Sequence, residues 1–186
     1  MFEVLLTVDH KPLGVPYLRP SEDSESNSFI DLKSQPERID EIPELRSWPE
    51  LKKLVGEINN PSGTFKTLGC AEFVYEDEGT KYRLLTYVDF CFAETTANGD
   101  HGNFYDLFHR FTEYVGKFKP PDDLVIKIEL RRTAFYDENI AGWYMAYWVQ
   151  GFGDTQEEAR AIPNAGLKIL EDFLRLEDSR SGEIIL

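Results

Sequence analysis

The chain opens with apolar and polar side chains that alternate over residues 2–8, the period of two that is typical of a strand with one buried face. Two later regions, 64–94 and 124–152, each contain two strand-like runs separated by a turn sequence, EDEGTK in the first and DENIAG in the second. Runs joined by so few turn-forming residues favour β-hairpins. The pattern therefore predicts a first strand followed by two hairpins.

A helical period of 3.6 residues follows each hairpin. Residues 103–119 carry an apolar stripe and stop at two prolines, as an amphipathic helix does. Residues 155–174 keep helical phase across Pro163, which predicts one kinked helix rather than two. A shorter helix is expected within 47–60, before the first hairpin. The predicted N-terminal caps are Ser47 with Glu50, Asn103, and Thr155 with Glu158.

Together these elements predict an α+β fold in which residues 1–186 form a single domain. Its core is expected to be a mainly antiparallel sheet of about five strands, built from two successive β-hairpin–helix units with the long helices on one face. The repeated order indicates either an internal duplication or a common architecture, and sequence identities do not decide between them. The order of the strands in the sheet stays open.

The first hairpin is expected to reverse at Glu78-Gly79, so that the numbers of paired residues add up to about 157. This register places Phe73 and Tyr75 on the apolar face that packs into the core. It also leaves Cys70 and Cys91 several residues out of alignment. We therefore expect two separate thiols and no disulfide.

The second hairpin ends in WYMAYWVQGF, residues 143–152, with five aromatic rings in ten positions. In a register where paired numbers add up to about 279, alternate residues of this segment face the core. The reverse face then carries Arg131, Tyr144, Trp148 and Phe152, with Arg131 opposite Trp148 in a cation–π contact. Aromatic rings with arginine are typical of the centre of a protein interface. These four residues are the predicted partner-binding site.

Three explanations compete for this second aromatic face. The long segment 10–45 can fold across it and bury it, or the rings are there because they suit strands. Two copies of the chain can associate through it. It can also bind another protein or a ligand. The sequence leaves all three open.

The chain is strongly acidic, with 34 acidic and 20 basic residues and a formal net charge of −14. This charge repels a phosphate backbone, which argues against nucleic acid as a partner. The acidity is uneven, because residues 21–50 hold nine acids and three bases whereas residues 107–150 balance at zero. We expect residues 13–45, which fall largely in that acidic stretch, to form an irregular acidic arm or long loop. Acidic loops can steer a basic partner.

The sequence predicts no catalytic site, metal or cofactor. Asp100, His101 and Asp106 have suitable donor atoms, but their spacing matches no recognisable metal site. Cys91 with His101 or His109 is the alternative, since a thiol beside a base can act as a nucleophile. That alternative requires an exposed cysteine, whereas a cysteine inside a strand is usually inert.

Two cysteines, and an N-terminal segment that reads as a strand rather than a signal peptide, predict a reduced, cytoplasmic protein. No run approaches the roughly 18 apolar residues of a membrane span. We therefore expect no membrane partner.

The stretch GFGDTQEEA, residues 151–159, resembles the strand-turn-helix entry of HicB-like antitoxins, in which a similar G-D-T-x-E-E-A opens a helix after a hairpin. The likeness covers nine residues, and the preceding strand lacks the proline-rich turn of that family. It adds weight to a partner-binding role and assigns no family residue or activity to this chain.

The function expected from these observations is that of a non-enzymatic protein-binding domain, an acidic inhibitor or immunity-type protein. Its partner is another protein or a second copy of the chain. The first alternative is a hydrolase-like enzyme with a pocket near Cys91, His101 and His109. The second is a structural subunit of a homo-oligomer.

Overall fold

The computed structural model describes residues 2–15, 29–77, 81–117, 119–135 and 140–183. The reversal expected at Glu78-Gly79, much of the second turn sequence, and residues 16–28 of the predicted arm lie outside the described residues.

The described strands form one sheet in the order β1-β4-β5-β3-β2. The strands are β1 (Glu3–Val15), β2 (Phe65–Asp77), β3 (Lys81–Phe92), β4 (Val125–Phe135) and β5 (Ile140–Gly153). The α+β class predicted from the sequence is confirmed. The sheet is mixed, because β1 pairs with β4 in parallel while the other neighbours are antiparallel. A parallel neighbour requires a long connection, and here the whole first hairpin lies between the two strands in sequence.

The longer helices pack on the same face of this sheet. The described helices are α1 (Pro49–Ile58), α2 (Thr95–Asn98), α3 (His101–Val115) and α4 (Gln156–Glu183). Tyr147 of β5 donates a hydrogen bond to the carbonyl oxygen of Gly166 in α4 at 2.8 Å, and its ring meets Phe111 of α3 edge-on. α1 reaches this face where Asn59 binds Thr67 at 2.7 Å. We name the opposite side of the sheet the open face.

The helix α4 approaches β5 closely because the contacting residues of β5 lack side chains. A Cβ atom on Gly151 would lie 2.2 Å from the carbonyl oxygen of Ala159 and 2.5 Å from Cδ of Pro163, and Gly153 is equally crowded. Pro163 lies inside α4, so the prediction of one helix is confirmed. Since proline has no N–H to offer the carbonyl four residues earlier, the Ala159 carbonyl is left to face the strand at Gly151.

The start of α4 follows the predicted capping pattern. The backbone N–H of Glu158 donates to Oγ1 of Thr155 at 3.1 Å. The carboxylate of Glu158 reaches back to the backbone N–H of Asp154 at 2.9 Å, one residue before the position that a capping box uses.

The other two predicted caps are wrong. Ser47 donates its hydroxyl to Glu72 at 2.6 Å, so it leaves the start of α1 without a side-chain cap. At α3 the capping residue is Asp100, whose Oδ1 accepts from the N–H of Gly102 at 2.8 Å. Asn103 lies within the helix and donates instead to a preceding carbonyl. Ser47 thus binds a partner that is distant in sequence, whereas α3 begins before the predicted cap at Asn103.

The first hairpin keeps the predicted register at one end only, where Thr67 pairs with Phe90. An irregularity between Thr67 and Gly69 shifts the rest of β2 by one residue. Because a shift of one residue moves every side chain to the other face, Phe73 and Tyr75 lie on the open face. Their prediction as core residues is wrong, and they are 38% and 47% exposed.

The second hairpin pairs four residues away from the predicted register. Arg131 lies opposite Tyr144, and Lys127 lies opposite Trp148. The predicted placement of Arg131 directly opposite Trp148 is therefore wrong. Because four is an even number, every side chain of the hairpin nevertheless keeps its predicted face.

The described part of the predicted arm comprises residues 13–15, which belong to strand β1, and residues 29–45, which pack against the body of the protein. Leu32 and Leu45 are each 2% exposed. Lys33 places its ammonium nitrogen 2.6 Å from the carbonyl oxygen of Gly63. This part contains two 3₁₀ segments, Pro36–Glu41 and Pro43–Leu45. It is thus tied to α1 and β2 and not an irregular loop over its described length.

Candidate interaction surface on the open sheet face

Aromatic rings on the open face form a continuous row across three strands. Tyr75 and Phe73 of β2 have ring centroids 6.5 Å apart and nearly parallel planes. Phe73 stacks on Tyr87 of β3 at 6.3 Å, and Tyr87 meets Trp148 of β5 at 4.5 Å. We call these four residues the aromatic row. It exists because β3 pairs with both β2 and β5, which sets Tyr87 between the other rings.

Arg83 lies beside the row and is held by rings on two sides. Its guanidinium carbon is 5.7 Å from the ring centroid of Tyr75 and 5.9 Å from that of Phe152. Arg83 also donates to the side-chain oxygen of Gln150 at 3.0 Å. These distances are within the range of a cation–π contact. Within the described residues Arg83 forms no ion pair.

Glu129 organises the other end of the face. Its carboxylate binds both Lys127 and Arg131 and accepts a hydrogen bond from the indole N–H of Trp148 at 3.2 Å. The Arg131 guanidinium lies 5.8 Å from the Trp148 ring centroid, so the predicted cation–π contact is present on the diagonal. One carboxylate therefore fixes two cations and one ring.

The charges of this cluster reinforce each other. Partial burial tends to raise the pKa of Glu129, but the hydrogen bond from Lys127 and the charge of Arg131 outweigh it, and its pKa is lowered. Burial likewise tends to lower the pKa of Arg131, and its interactions with Tyr144 and Glu129 raise it above the ordinary value. Both groups are thus held in their charged forms.

A shallow depression of about 460 Å³ lies between these groups. Trp148, Gln150 and Leu85 line it together with Leu5 of the edge strand β1, and Arg83, Lys127, Glu129 and Arg131 contribute charged groups. Leu5 is 46% exposed. The depression offers an apolar floor with cationic groups at its sides.

The predicted contact residues differ in accessibility. Phe152 is 54% exposed, whereas Trp148 and Arg131 are half-buried. Tyr144 is fully buried at 0% exposure, so its assignment as a partner contact is wrong. It lies opposite Arg131 in the sheet, on the inner side of that residue.

No protein family, no curated protein and no solved structure matches this chain. The open face must therefore be interpreted from its own chemistry.

Among the described residues, no helix is both long enough and apolar enough to cross a lipid bilayer.

The residues of the enzyme alternative are not brought together. Cys91 is fully buried, and its place in β3 puts its side chain on the same side of the sheet as Tyr87. His101 and His109 belong to α3, on the opposite side of the sheet, and their side chains are 61% and 73% exposed. The sheet therefore separates the thiol from both candidate bases.

The thiols give a prediction that tests this alternative. Burial raises the pKa of the Cys70 thiol to about 12, which lowers its thiolate fraction near neutral pH by about a thousandfold. Cys91 is enclosed. We expect both thiols to react slowly with a chromogenic disulfide reagent in the native protein and rapidly after addition of guanidinium chloride. A fast-reacting equivalent in the native state that belongs to Cys91 would support the nucleophile hypothesis.

The residues considered as metal ligands from the sequence have other contacts in the structure. Asp100 caps α3 through the N–H of Gly102, and His101 is close to the ring of Trp143 at 5.9 Å between centroids. In the part of the chain that the structure describes, no group of three or more His, Cys, Asp or Glu side chains is placed to hold a metal ion.

Sequence reasoning missed the β2 and β3 contributions to this surface, namely Phe73, Tyr75, Arg83 and Tyr87. A signal for the first two was present in Gly69, because an isolated glycine within a strand pattern often marks a bulge. A bulge there reverses the faces of everything that follows in β2.

Proposed function

We propose that this chain is a non-enzymatic binding protein that contacts a protein partner through the open face. The observation that carries the proposal is the aromatic row with Arg83 and Phe152, a contiguous cluster on the side of the sheet that α1, α3 and α4 do not cover. Single exposed apolar side chains are ordinary on protein surfaces, but a contiguous patch rimmed by polar groups is typical of an interaction site.

The chemistry of the cluster supports a protein ligand. Tyrosine, tryptophan and arginine dominate the binding energy of protein interfaces, since they combine a large apolar area with hydrogen-bonding groups. Here the rings and guanidinium groups hold one another in place. Little side-chain freedom is then lost on binding, which favours affinity. An inhibitor or immunity-type role fits a surface of this kind, because such a protein acts by occupying its partner.

The position of the face within the fold also supports the proposal. The two hairpins meet where β3 and β5, the second strand of each, lie side by side. We propose that the two hairpin–helix units are paired halves and that the binding surface lies across their junction. Both cysteines are free thiols, which supports a reducing, cytoplasmic location.

A pair of variants tests the surface. We expect the double variant Trp148→Ala, Phe152→Ser to lower recovery of a specific partner by about tenfold or more, as loss of interface aromatics does. The matched control is Tyr105→Ser, which removes an exposed ring from α3, 40% exposed. Quantitative affinity purification from cells of the source organism, with far-UV circular dichroism to confirm folding, measures the effect.

The same proteins separate the oligomer alternative from partner binding. If the face joins two copies of the chain, light scattering gives a dimer for the wild type and for Tyr105→Ser, and a monomer for the double variant. Unchanged partner recovery and unchanged mass in a folded double variant would show that the open face is not the binding site.

A further inference from the structure

The depression on the open face is locally basic although the chain carries a net charge of −14. Three cationic side chains, Arg83, Lys127 and Arg131, line it with one carboxylate, Glu129. In a chain where acids outnumber bases by 34 to 20, this local excess of positive charge runs against the average composition. The basic depression thus favours an acidic partner, whereas the net charge of the whole chain favours a basic one.

Within the described residues, Arg83 is the cation of this depression that no carboxylate binds. Glu129 already binds Lys127 and Arg131, whereas Arg83 forms no ion pair within the described residues. Several other arginines, among them Arg110 and Arg160, are bound to carboxylates. A hydrogen bond to Gln150 uses one donor of Arg83, and a guanidinium group has five. Donors suited to a planar carboxylate therefore remain on Arg83.

Its neighbours hold the Arg83 guanidinium in position. The ring centroids of Tyr75 and Phe152 are 5.7 and 5.9 Å from it. A cation fixed between rings loses less conformational entropy when it binds an anion than a freely rotating one does. The apolar floor beside it, formed by Trp148 and Leu85, can receive an apolar side chain adjacent to that anion.

We propose that the protein partner presents an acidic segment, in which a carboxylate binds Arg83 and a neighbouring apolar side chain enters the depression beside Trp148. This rests on the proposed function, because it names the chemistry of the partner that the open face binds. It replaces the expectation of a basic partner at this surface. Since a net charge of −14 opposes the approach of any acidic protein, binding depends on the Arg83 contact together with the apolar contact beside Trp148.

A single-stranded oligonucleotide is the other ligand that combines anionic groups with surfaces that stack on rings. A net charge of −14 opposes a ligand with one charge per nucleotide over the whole length of the complex. A short acidic peptide segment carries only a few charges, and these can lie close to Arg83, Lys127 and Arg131. The observations therefore favour a peptide segment.

The test titrates the full chain, labelled with ¹⁵N, with defined probes. Three capped pentapeptides share the pattern X-Leu-X-Phe-X, where X is Glu, Lys or Gln, and a short oligothymidylate is the fourth probe. The signals followed are the indole N–H of Trp148 and the Nε–H of Arg83, assigned with Trp148→Phe and Arg83→Gln. We expect the Glu peptide to shift the Trp148 signal with a Kd of about a millimolar and the Lys peptide to bind more weakly.

A matched pair of variants assigns the preference to Arg83. Arg83→Gln is expected to weaken the Glu peptide about fivefold, the upper range for an exposed ion pair. Arg132→Gln, which alters an exposed arginine on the opposite side of β4, is expected to leave the Kd unchanged. An unchanged Kd in folded Arg83→Gln would overturn the role of Arg83.

The outcomes separate this proposal from the proposed function. Equal binding of the three peptides, or a preference for Lys, overturns the acidic partner while the open face still binds peptides. Tighter binding of the oligothymidylate overturns the peptide ligand in favour of nucleic acid. If no probe shifts the Trp148 signal, the acidic segment is wrong and the open face also loses support as a binding surface.

Discussion

Gly151→Ala is expected to lower the free energy of unfolding by about 3 kcal/mol, the upper range for overpacking a dense contact. The new methyl group would lie 2.2 Å from the Ala159 carbonyl oxygen and 2.5 Å from Cδ of Pro163. Neither neighbour can rotate away, since one is backbone and the other a ring inside α4. The helix must therefore move off β5. Urea unfolding followed by circular dichroism measures the change.

Gly56→Ala is the matched control for this prediction. A Cβ atom on Gly56 would meet Ile39 at 3.5 Å, an ordinary contact, and the residue is exposed within α1. Alanine there is expected to stabilise the protein by roughly 0.5–1 kcal/mol, because it favours the helix and restricts the unfolded chain. Equal effects of the two substitutions would show that α4 does not pack against β5 as closely as described.

Trp48→Ala is expected to cost about 3–5 kcal/mol, as removal of a large buried aromatic side chain does. Trp48 is fully buried and donates its indole N–H to Asn164 of α4 at 2.6 Å. The Arg160 guanidinium lies 4.9 Å from its ring centroid. The substitution therefore leaves a cavity between the start of α1 and α4 and removes the donor of a partly buried hydrogen bond.

Trp48→Phe separates the two contributions. It keeps most of the packing and removes the indole donor, so a loss of about 1–2 kcal/mol is expected. Thermal unfolding of both variants beside the wild type provides the comparison. A cost below about 1 kcal/mol for Trp48→Ala would mean that this contact does not anchor α4.

The sequence carries enough information for the elements of this fold because their signals are local. The stripe on α3 that includes Phe104, Leu107 and Phe111 is buried as its spacing predicts. Thr155 begins α4 with a hydrogen bond that depends only on neighbouring residues. Local patterns of this kind need no knowledge of the rest of the chain.

The faces of the hairpins depend on registers that the sequence does not encode so directly. In the second hairpin, the error of four residues preserved every face, so the rings of Trp148 and Phe152 were placed on the correct side. In the first, one extra residue near Gly69 was enough to exchange the two faces of β2. A surface that crosses both hairpins could therefore be predicted only in part.

Burial was the least predictable property of the candidate site. Tyr144 and Trp148 lie on the same face of β5. Tyr144 is fully buried, whereas Trp148 is half-buried. What lies over a sheet face is decided by segments distant in sequence. The position of Arg83 beside Phe152 likewise follows from the pairing of β3 with β5, a neighbour relation that the sequence left open.

Photo-crosslinking from the open face tests the central claim most directly. With p-benzoylphenylalanine in place of Phe152, irradiation of living cells is expected to give one discrete crosslinked species, identified by mass spectrometry. The same probe in place of Tyr105, on the helical side, is expected to give none. The crosslink should disappear when Trp148→Ala is added to the Phe152 probe. Equal crosslinking from both positions, or none from position 152, would contradict the account.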